Sequence, residues 1–200
     1  VGCRGVVAAR PGSHMSLDPG PGNVLAGAVD DDRFWALIDE AVRASESAAE
    51  RFAARADALE DGLSRCTAEE VIGFAERFEA CQARAYRWDL WAAAHILGGG
   101  CSDDGFIDFR SWLISLGRAR FEAALADAES LATLEFGVGG EDDAFFEEFG
   151  VIAEQVYEDL TGDDLPELAA MQLQPAAPSG EPWRTEEEIA ARLPKLWATY

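Results

Sequence analysis

The densest group of side chains that could do chemistry lies at Gly98–Phe106, which reads GGGCSDDGF. It holds two adjacent carboxylates, Asp103 and Asp104, and a thiol at Cys101, after glycines that allow a tight turn. Carboxylate oxygens can hold a hard cation, but these acids lack the EF-hand spacing, and no Gly-Lys-Ser/Thr follows as in a P-loop. The stretch therefore predicts either a ligand site or a helix–helix turn with an aspartate cap, tied to Arg110 by a salt bridge.

Aromatic side chains flank this stretch. Trp91 ends the sequence Tyr-Arg-Trp-Asp-Leu-Trp, where aromatic and charged residues crowd together in the way that partner-binding surfaces often show. Trp112 follows on the next predicted helix, two residues after Arg110. We expect Trp91, Asp103, Asp104, Arg110 and Trp112 to form a binding site, in which the aspartates cap a helix or face a cationic group and Arg110 holds the loop.

Catalytic groups are scarce. His95 is the only histidine outside the N-terminal tail, and a site with several histidine ligands is excluded by count. A nucleophilic Cys101 paired with His95 would need a lowered thiol pKa, which the neighbouring aspartates oppose. The sequence predicts no resident metal ion and no cofactor, and a catalytic role for His95 is less favoured than a place near a helix end.

The charge is strongly negative and uneven. Against 16 Lys and Arg residues stand 38 Asp and Glu residues, for a formal net charge of −22. This charge disfavours binding to nucleic acid or to anionic lipid. No Lys or Arg occurs between Arg120 and Arg184, and sixteen acids lie from Glu122 to Glu181. One face of the domain is therefore expected to be acidic, and such a face would attract a basic partner.

Apolar spacing predicts an all-α fold, a single compact bundle of about six or seven helices. The clearest pattern starts at Thr67 and Glu70, which have the spacing of a capping box. An apolar stripe then runs from Val71 to His95 in steps of three and four, and Gly98–Gly100 follows. The pattern indicates one helix over this whole length.

Composition suggests three parts of the chain. Residues 1–29 are rich in Gly and Pro and include Gly-Ser-His-Met, so they are expected to be a disordered tail or a translation-start artefact. Residues 30–170 form the helical domain. Residues 171–200 read as a Pro-rich linker followed by a short helix. No apolar run is long enough to cross a membrane. The four cysteines form no C-x-x-C pair, so their spacing fits neither a zinc ribbon nor a redox dithiol. No secretory signal is recognised before them, which favours a reducing, cytoplasmic location.

Tyr86–Asp127, preceded by the sequence DDDRFWALIDEA, resembles the family known as domain of unknown function 4240. The similarity covers about residues 31–165. Its most specific part joins a Trp pair, GGCSDDGF, FR-x-WLI and a later Gly-Arg. The family pattern corresponds here to Trp88, Trp91, Gly99, Gly100, Cys101, Ser102, Asp103, Asp104, Phe106, Phe109, Arg110, Trp112, Leu113, Ile114 and Gly117. The resemblance implies a cytoplasmic bacterial protein and supplies no activity.

Three functions remain open from the sequence. The first is a non-catalytic module that binds a protein partner or a small ligand near the GGGCSDDGF loop. The second is a metal-assisted hydrolase that uses Asp103 and Asp104, because carboxylates can hold Mg²⁺ or Ca²⁺ without histidine. The third is an acidic, immunity-type protein that neutralises a basic partner.

Overall fold

The computed structural model describes residues 29–134, 144–173 and 175–200, and within these ranges the chain is all-α, as predicted. The α-helices are α1 (Asp31–Ser45), α2 (Arg51–Leu63), α3 (Ala68–Arg84), α4 (Trp88–Leu97), α5 (Asp103–Ser115), α6 (Arg118–Ala126), α7 (Glu147–Thr161), α8 (Glu186–Arg192) and α9 (Pro194–Thr199). Two short 3-10 helices lie at Ala128–Thr133 and Ala169–Leu173. The tail 1–28 and the acidic connection 135–143 lie outside the described residues.

Local signals start several of these helices where the sequence predicts. The Asp30 carboxylate accepts a hydrogen bond from Arg33 N at 2.8 Å and so caps α1. At α3 the capping box is formed, since Glu70 N donates to Thr67 Oγ1 and Thr67 N donates to the Glu70 carboxylate. The Thr67 hydrogen bonds also lower the pKa of Glu70. Thr185 Oγ1 accepts from Glu188 N and caps α8, and the Glu188 carboxylate accepts from Arg184 N, one residue before the cap.

One apolar core joins the helices. The stripe of α3 packs against α5 and α7, while α1 and α2 pack on each other, α1 also contacting α3 and α2 also contacting α7. Its largest fully buried side chains are aromatic or branched: Phe34, Ile38, Leu59, Leu63, Phe74, Leu90, Phe106, Phe109, Leu113, Ile114, Phe121 and Phe149. Burial of this size drives the fold, because each such side chain stabilises it by about 1.5–3 kcal/mol when removed from water.

The single long helix predicted from Thr67 to Gly98 is wrong. The chain leaves the helix after Arg84 and starts a new one at Trp88. Between them the extended backbone pairs with the C-terminal segment: Ser179 N donates to Tyr86 O at 2.9 Å, and Trp88 N donates to Ser179 O at 3.0 Å. The apolar stripe continues through the break because both helices pack on the same core, so spacing alone does not reveal it.

After residue 170 the chain forms two short α-helices, α8 and α9, where the sequence predicts a linker and a single short helix. Pro194 follows the end of α8 and starts α9, because proline suits the first position of a helix. Ile189, Leu193 and Leu196 belong to the same buried core as the rest of the chain. The Glu129 carboxylate accepts from Lys195 N at 3.0 Å and caps α9. No helix among the described residues is long and apolar enough to span a membrane.

Candidate functional site

The GGGCSDDGF stretch forms the turn between α4 and α5. Gly99 and Gly100 have positive φ angles, and Gly100 N donates to His95 O at 2.9 Å, which closes the end of α4. A Cβ at Gly98 would lie 2.6 Å from the ring of Phe145. The glycines are therefore required by backbone geometry and by close packing.

Ser102 caps α5. Its Oγ accepts a hydrogen bond from Gly105 N at 3.1 Å. Asp103 and Asp104 follow in the first turn of the helix with exposed side chains. Their negative charges stabilise the positive end of the helix dipole without capping it. Ser102, Asp103 and Asp104 each suit the cap position by sequence; Ser102 is the residue that takes it, and both carboxylates are exposed.

Trp91 holds the turn from inside. Its indole Nε1 donates to Cys101 O at 3.2 Å, and its ring stacks on Phe106 with centroids 4.8 Å apart and on Trp88 with centroids 5.3 Å apart. The ring is partly buried against the core. Through these contacts Trp91 stabilises the turn at which the sequence predicts it to bind a partner.

Arg110 does not pair with the aspartates. Its side chain is buried, and it donates to Gln82 O at 2.8 Å and to Phe106 O at 3.2 Å. The guanidinium also lies over the ring of Tyr86, 4.9 Å from the centroid. Burial lowers the pKa of Arg110. The salt bridge to the aspartates considered from the sequence is not formed, and Arg110 instead joins α5 to the end of α3.

Trp112 lies away from the turn. It is buried in the core, with its ring 5.2 Å from that of Phe109. Of the five residues predicted as one site, Trp91 and Arg110 therefore meet around Phe106, and Asp103 and Asp104 stand outside on the surface. The aspartates alone are available to a partner without rearrangement.

Three further carboxylates stand near Asp104. Phe146 N donates to Asp108 O at 3.2 Å, which brings the start of α7 beside α5. The pKa of Asp108 is raised by burial and then by the charges of Glu147, Asp104 and Glu148. We call these four residues the carboxylate cluster. The sequence gives no sign that Glu147 and Glu148 lie beside α5, because that neighbourhood depends on helix packing.

The carboxylate cluster lacks compensating cations. The four salt bridges among the described residues join Arg77 to Asp31, Arg84 to Glu122, Arg87 to Asp89 and Arg118 to Asp32. None of them involves the cluster. Within the described ranges, no three His, Cys, Asp or Glu side chains are grouped closely enough to hold a metal ion. The cluster is thus a spread acidic surface without the geometry of a metal-binding cage.

Cys101 and His95 do not form a catalytic pair. Burial, and after it the charge of Asp108, raises the pKa of the Cys101 thiol to about 12, and the thiol donates to Ser102 O. The His95 ring lies 5.1 Å from the ring of Trp183, on the C-terminal segment. A neutral thiol is a poor nucleophile, so the arrangement does not support acyl transfer at Cys101.

Comparison with known protein families identifies a family model that matches the chain. The family model described as "Protein of unknown function (DUF4240)" matches residues 29–159, from just before α1 almost to the end of α7, and this range includes the whole carboxylate cluster. No curated protein and no solved structure matches the chain. Since the matched range covers more than half of the 200 residues, the chain belongs to the DUF4240 family of proteins of unknown function.

Proposed function

We propose that this domain is a non-catalytic binding module that uses the carboxylate cluster to bind a basic surface of another protein. The observation that carries the proposal is the gathering of four carboxylates without a salt bridge from any Lys or Arg of the described chain. Like charges held together cost free energy in the isolated protein. A cationic partner would remove that cost on binding, and the charge would accelerate association.

Exposed aliphatic side chains accompany the acids. Ile107 is 48% exposed and lies one turn after Asp103 on α5, and Val151 is 38% exposed and lies one turn after Glu147 on α7. Protein interfaces combine such apolar contacts with a charged rim. The combination favours a folded protein as the partner. Nucleic acid is disfavoured, because the carboxylates of this surface repel its phosphates.

The turn between α4 and α5 supports binding better than catalysis. Trp91 and Arg110 are engaged in hydrogen bonds that hold the turn and the end of α3. The metal-assisted hydrolase has no grouped donor set around Asp103 and Asp104 within the described chain. We place the interaction in the bacterial cytoplasm, as the family resemblance suggests, and the free thiols of Cys66, Cys81 and Cys101 agree with a reducing compartment.

The test compares two variants with equal net charge. In the first, the carboxylate cluster becomes neutral: Asp104→Asn, Asp108→Asn, Glu147→Gln and Glu148→Gln. In the control, four exposed acids of α1 and α2 change in the same way: Glu40→Gln, Asp57→Asn, Glu60→Gln and Asp61→Asn. Each immobilised protein is incubated with a lysate of the source organism, bound proteins are identified by mass spectrometry, and affinities are then measured with the purified partner.

We expect the wild type and the control to retain one defined basic protein and the cluster variant to lose it. Affinity for that protein should fall steeply as salt is raised, because exposed charges are screened. Equal binding by both variants would contradict the proposal. A thermal melt with millimolar Mg²⁺ or Ca²⁺ tests the hydrolase separately, since a midpoint rise that Asp103→Asn and Asp104→Asn abolish would favour the metal site.

A further inference from the structure

A second like-charged group lies on α2 and α6, and it is positive. Arg51 and Arg55 are one turn apart on α2, so their side chains leave the same face of the helix. Arg120 lies in the first turn of α6. We call these three residues the arginine cluster. It is unusual in this chain, in which acidic residues outnumber basic ones by 38 to 16.

Arg55 fixes the position of the arginine cluster. The side chain is only 6% exposed. Its Nε donates to Ser45 Oγ at 3.2 Å at the end of α1, and its Nη1 donates to Ser115 O at 3.1 Å at the end of α5. Nη2 takes part in neither bond. The guanidinium is therefore anchored by neutral oxygens, and none of its hydrogen bonds in the described chain goes to a carboxylate.

Arg51 and Arg120 have no partners in the described chain. Both side chains are exposed, and neither makes a hydrogen bond or a salt bridge within residues 29–134, 144–173 and 175–200. Burial, and after it the charges of Arg120 and then Arg51, lower the pKa of Arg55 to about 10. Ser115, which Arg55 contacts, ends α5 five residues before Arg120, so Arg120 follows directly on the segment to which the guanidinium of Arg55 is anchored.

The start of α2 adds to this positive potential. Arg51 is the first residue of the helix, where the dipole is positive and a cationic side chain is unfavourable. Glu50 occupies the cap position but makes no side-chain cap hydrogen bond. Backbone N–H groups at the first turn of a helix are donors to anions. The local sequence therefore places a cation where stability alone would favour an acid.

We propose that the arginine cluster binds the phosphate group of a small anionic ligand. A phosphate carries a charge of roughly −1.5 to −2 at neutral pH and has oxygens for several guanidinium groups at once. Planar guanidinium groups match it with paired hydrogen bonds. The net charge of −22 opposes a polymer of phosphates, so the ligand is inorganic phosphate or a phosphate monoester.

The experiment uses the full chain and two double variants. Arg51→Gln with Arg120→Gln removes the exposed members of the cluster and leaves the buried anchor Arg55. Arg43→Gln with Arg65→Gln, two exposed arginines elsewhere, is the matched control. Thermal midpoints are recorded against rising inorganic phosphate and, in a separate arm, ribose 5-phosphate, with sodium chloride holding the ionic strength constant.

Wild type and control should show a saturable rise in midpoint with at least one of the two phosphates, and the cluster variant should bind at least about tenfold more weakly. The arm with the lower dissociation constant identifies inorganic phosphate or a monoester as the ligand. In phosphate-free buffer, the cluster variant should unfold at the same or a higher temperature than wild type, because charge repulsion is removed.

Two results would overturn the proposal. One is the absence of a saturable shift in the wild type, or an equal shift in both double variants. The other is a lower midpoint for the cluster variant in phosphate-free buffer, which would show that Arg51 and Arg120 stabilise the fold themselves. Neither result depends on the basic protein partner, so this test is separate from that of the carboxylate cluster.

Discussion

The carboxylate cluster and the arginine cluster are opposite solutions to the same problem of holding like charges together. In the carboxylate cluster the groups are exposed or partly exposed, and three of the four lie in the first turns of helices, where the dipole favours negative charge. In the arginine cluster the central group is buried, and carbonyl and hydroxyl oxygens at two helix ends solvate it. Water therefore solvates the charges of the carboxylate cluster, whereas oxygens of the protein solvate the buried charge of Arg55.

The difference shows which charges serve stability and which are free for a partner. Arg55 is held by hydrogen bonds to Ser45 and Ser115, so its replacement should lower the stability of the fold. The acids make few bonds, so their removal should change binding more than stability. The same contrast separates buried Arg110, which joins α5 to α3, from exposed Asp103 and Asp104.

The largest expected effect is on Arg55. In Arg55→Met, the buried Ser115 carbonyl and Ser45 hydroxyl lose a charged donor, so we expect the free energy of unfolding to fall by about 2–3 kcal/mol. Urea unfolding followed by circular dichroism measures the change. Arg65→Met, at an exposed arginine, should stay within about 0.5 kcal/mol of wild type. An unchanged Arg55→Met would mean that the desolvation cost of the guanidinium equals the value of its bonds.

The cap of α5 is expected to have the next largest effect. Ser102→Ala removes the acceptor for Gly105 N and should lower the free energy of unfolding by about 1 kcal/mol. Asp103→Asn should change it by no more than about 0.5 kcal/mol, since only a dipole interaction is lost. The same unfolding experiment decides between them. A larger loss in Asp103→Asn would restore the aspartate cap that the sequence suggested.

A smaller and opposite effect is expected at Asp108. Its pKa is raised in the folded protein, so the ionised form is disfavoured there, and Asp108→Asn should stabilise the protein by a few tenths of a kcal/mol at neutral pH. The advantage is fully present above the folded pKa and disappears as pH falls below the unfolded value of 3.8. Unfolding at a series of pH values measures it, with Asp61→Asn as the exposed control. A gain that grows on acidification would contradict the assignment.

The smallest expected effect is that of Asp108→Asn on the reactivity of Cys101, beside the carboxylate cluster. With a pKa of about 12, the thiol should react with iodoacetamide at pH 8 at least about 100-fold more slowly than in the unfolded chain. In Asp108→Asn the folded rate should rise slightly, because a nearby negative charge is removed while burial remains the main cause. Peptide mapping by mass spectrometry follows this cysteine alone. Rapid labelling of the folded wild type would refute the raised pKa.

Much of the secondary structure was predictable because its causes are local. Capping residues such as Thr67 and Thr185 act within three residues of their helix, and proline at 194 acts on its own turn. The candidate site was predictable only in part. The glycines and the short turn after α4 follow from sequence, but the use of Trp91 and Arg110 as internal supports does not, since their acceptors belong to Cys101 and to α3.

The sequence by itself determined an acidic all-α chain, the start of most helices and the GGGCSDDGF pattern that carries the family resemblance. Tertiary structure alone decided where the charges meet. It placed Asp108 beside Glu147 on a different helix and seated Arg55 between the ends of α1 and α5. It also divided the predicted long helix into α3 and α4, where Tyr86 pairs with Ser179. The physical reason is how far apart in the chain the interacting residues lie. Caps and helical periods act over a few residues, whereas charge clusters and backbone pairing depend on elements that are distant in the chain.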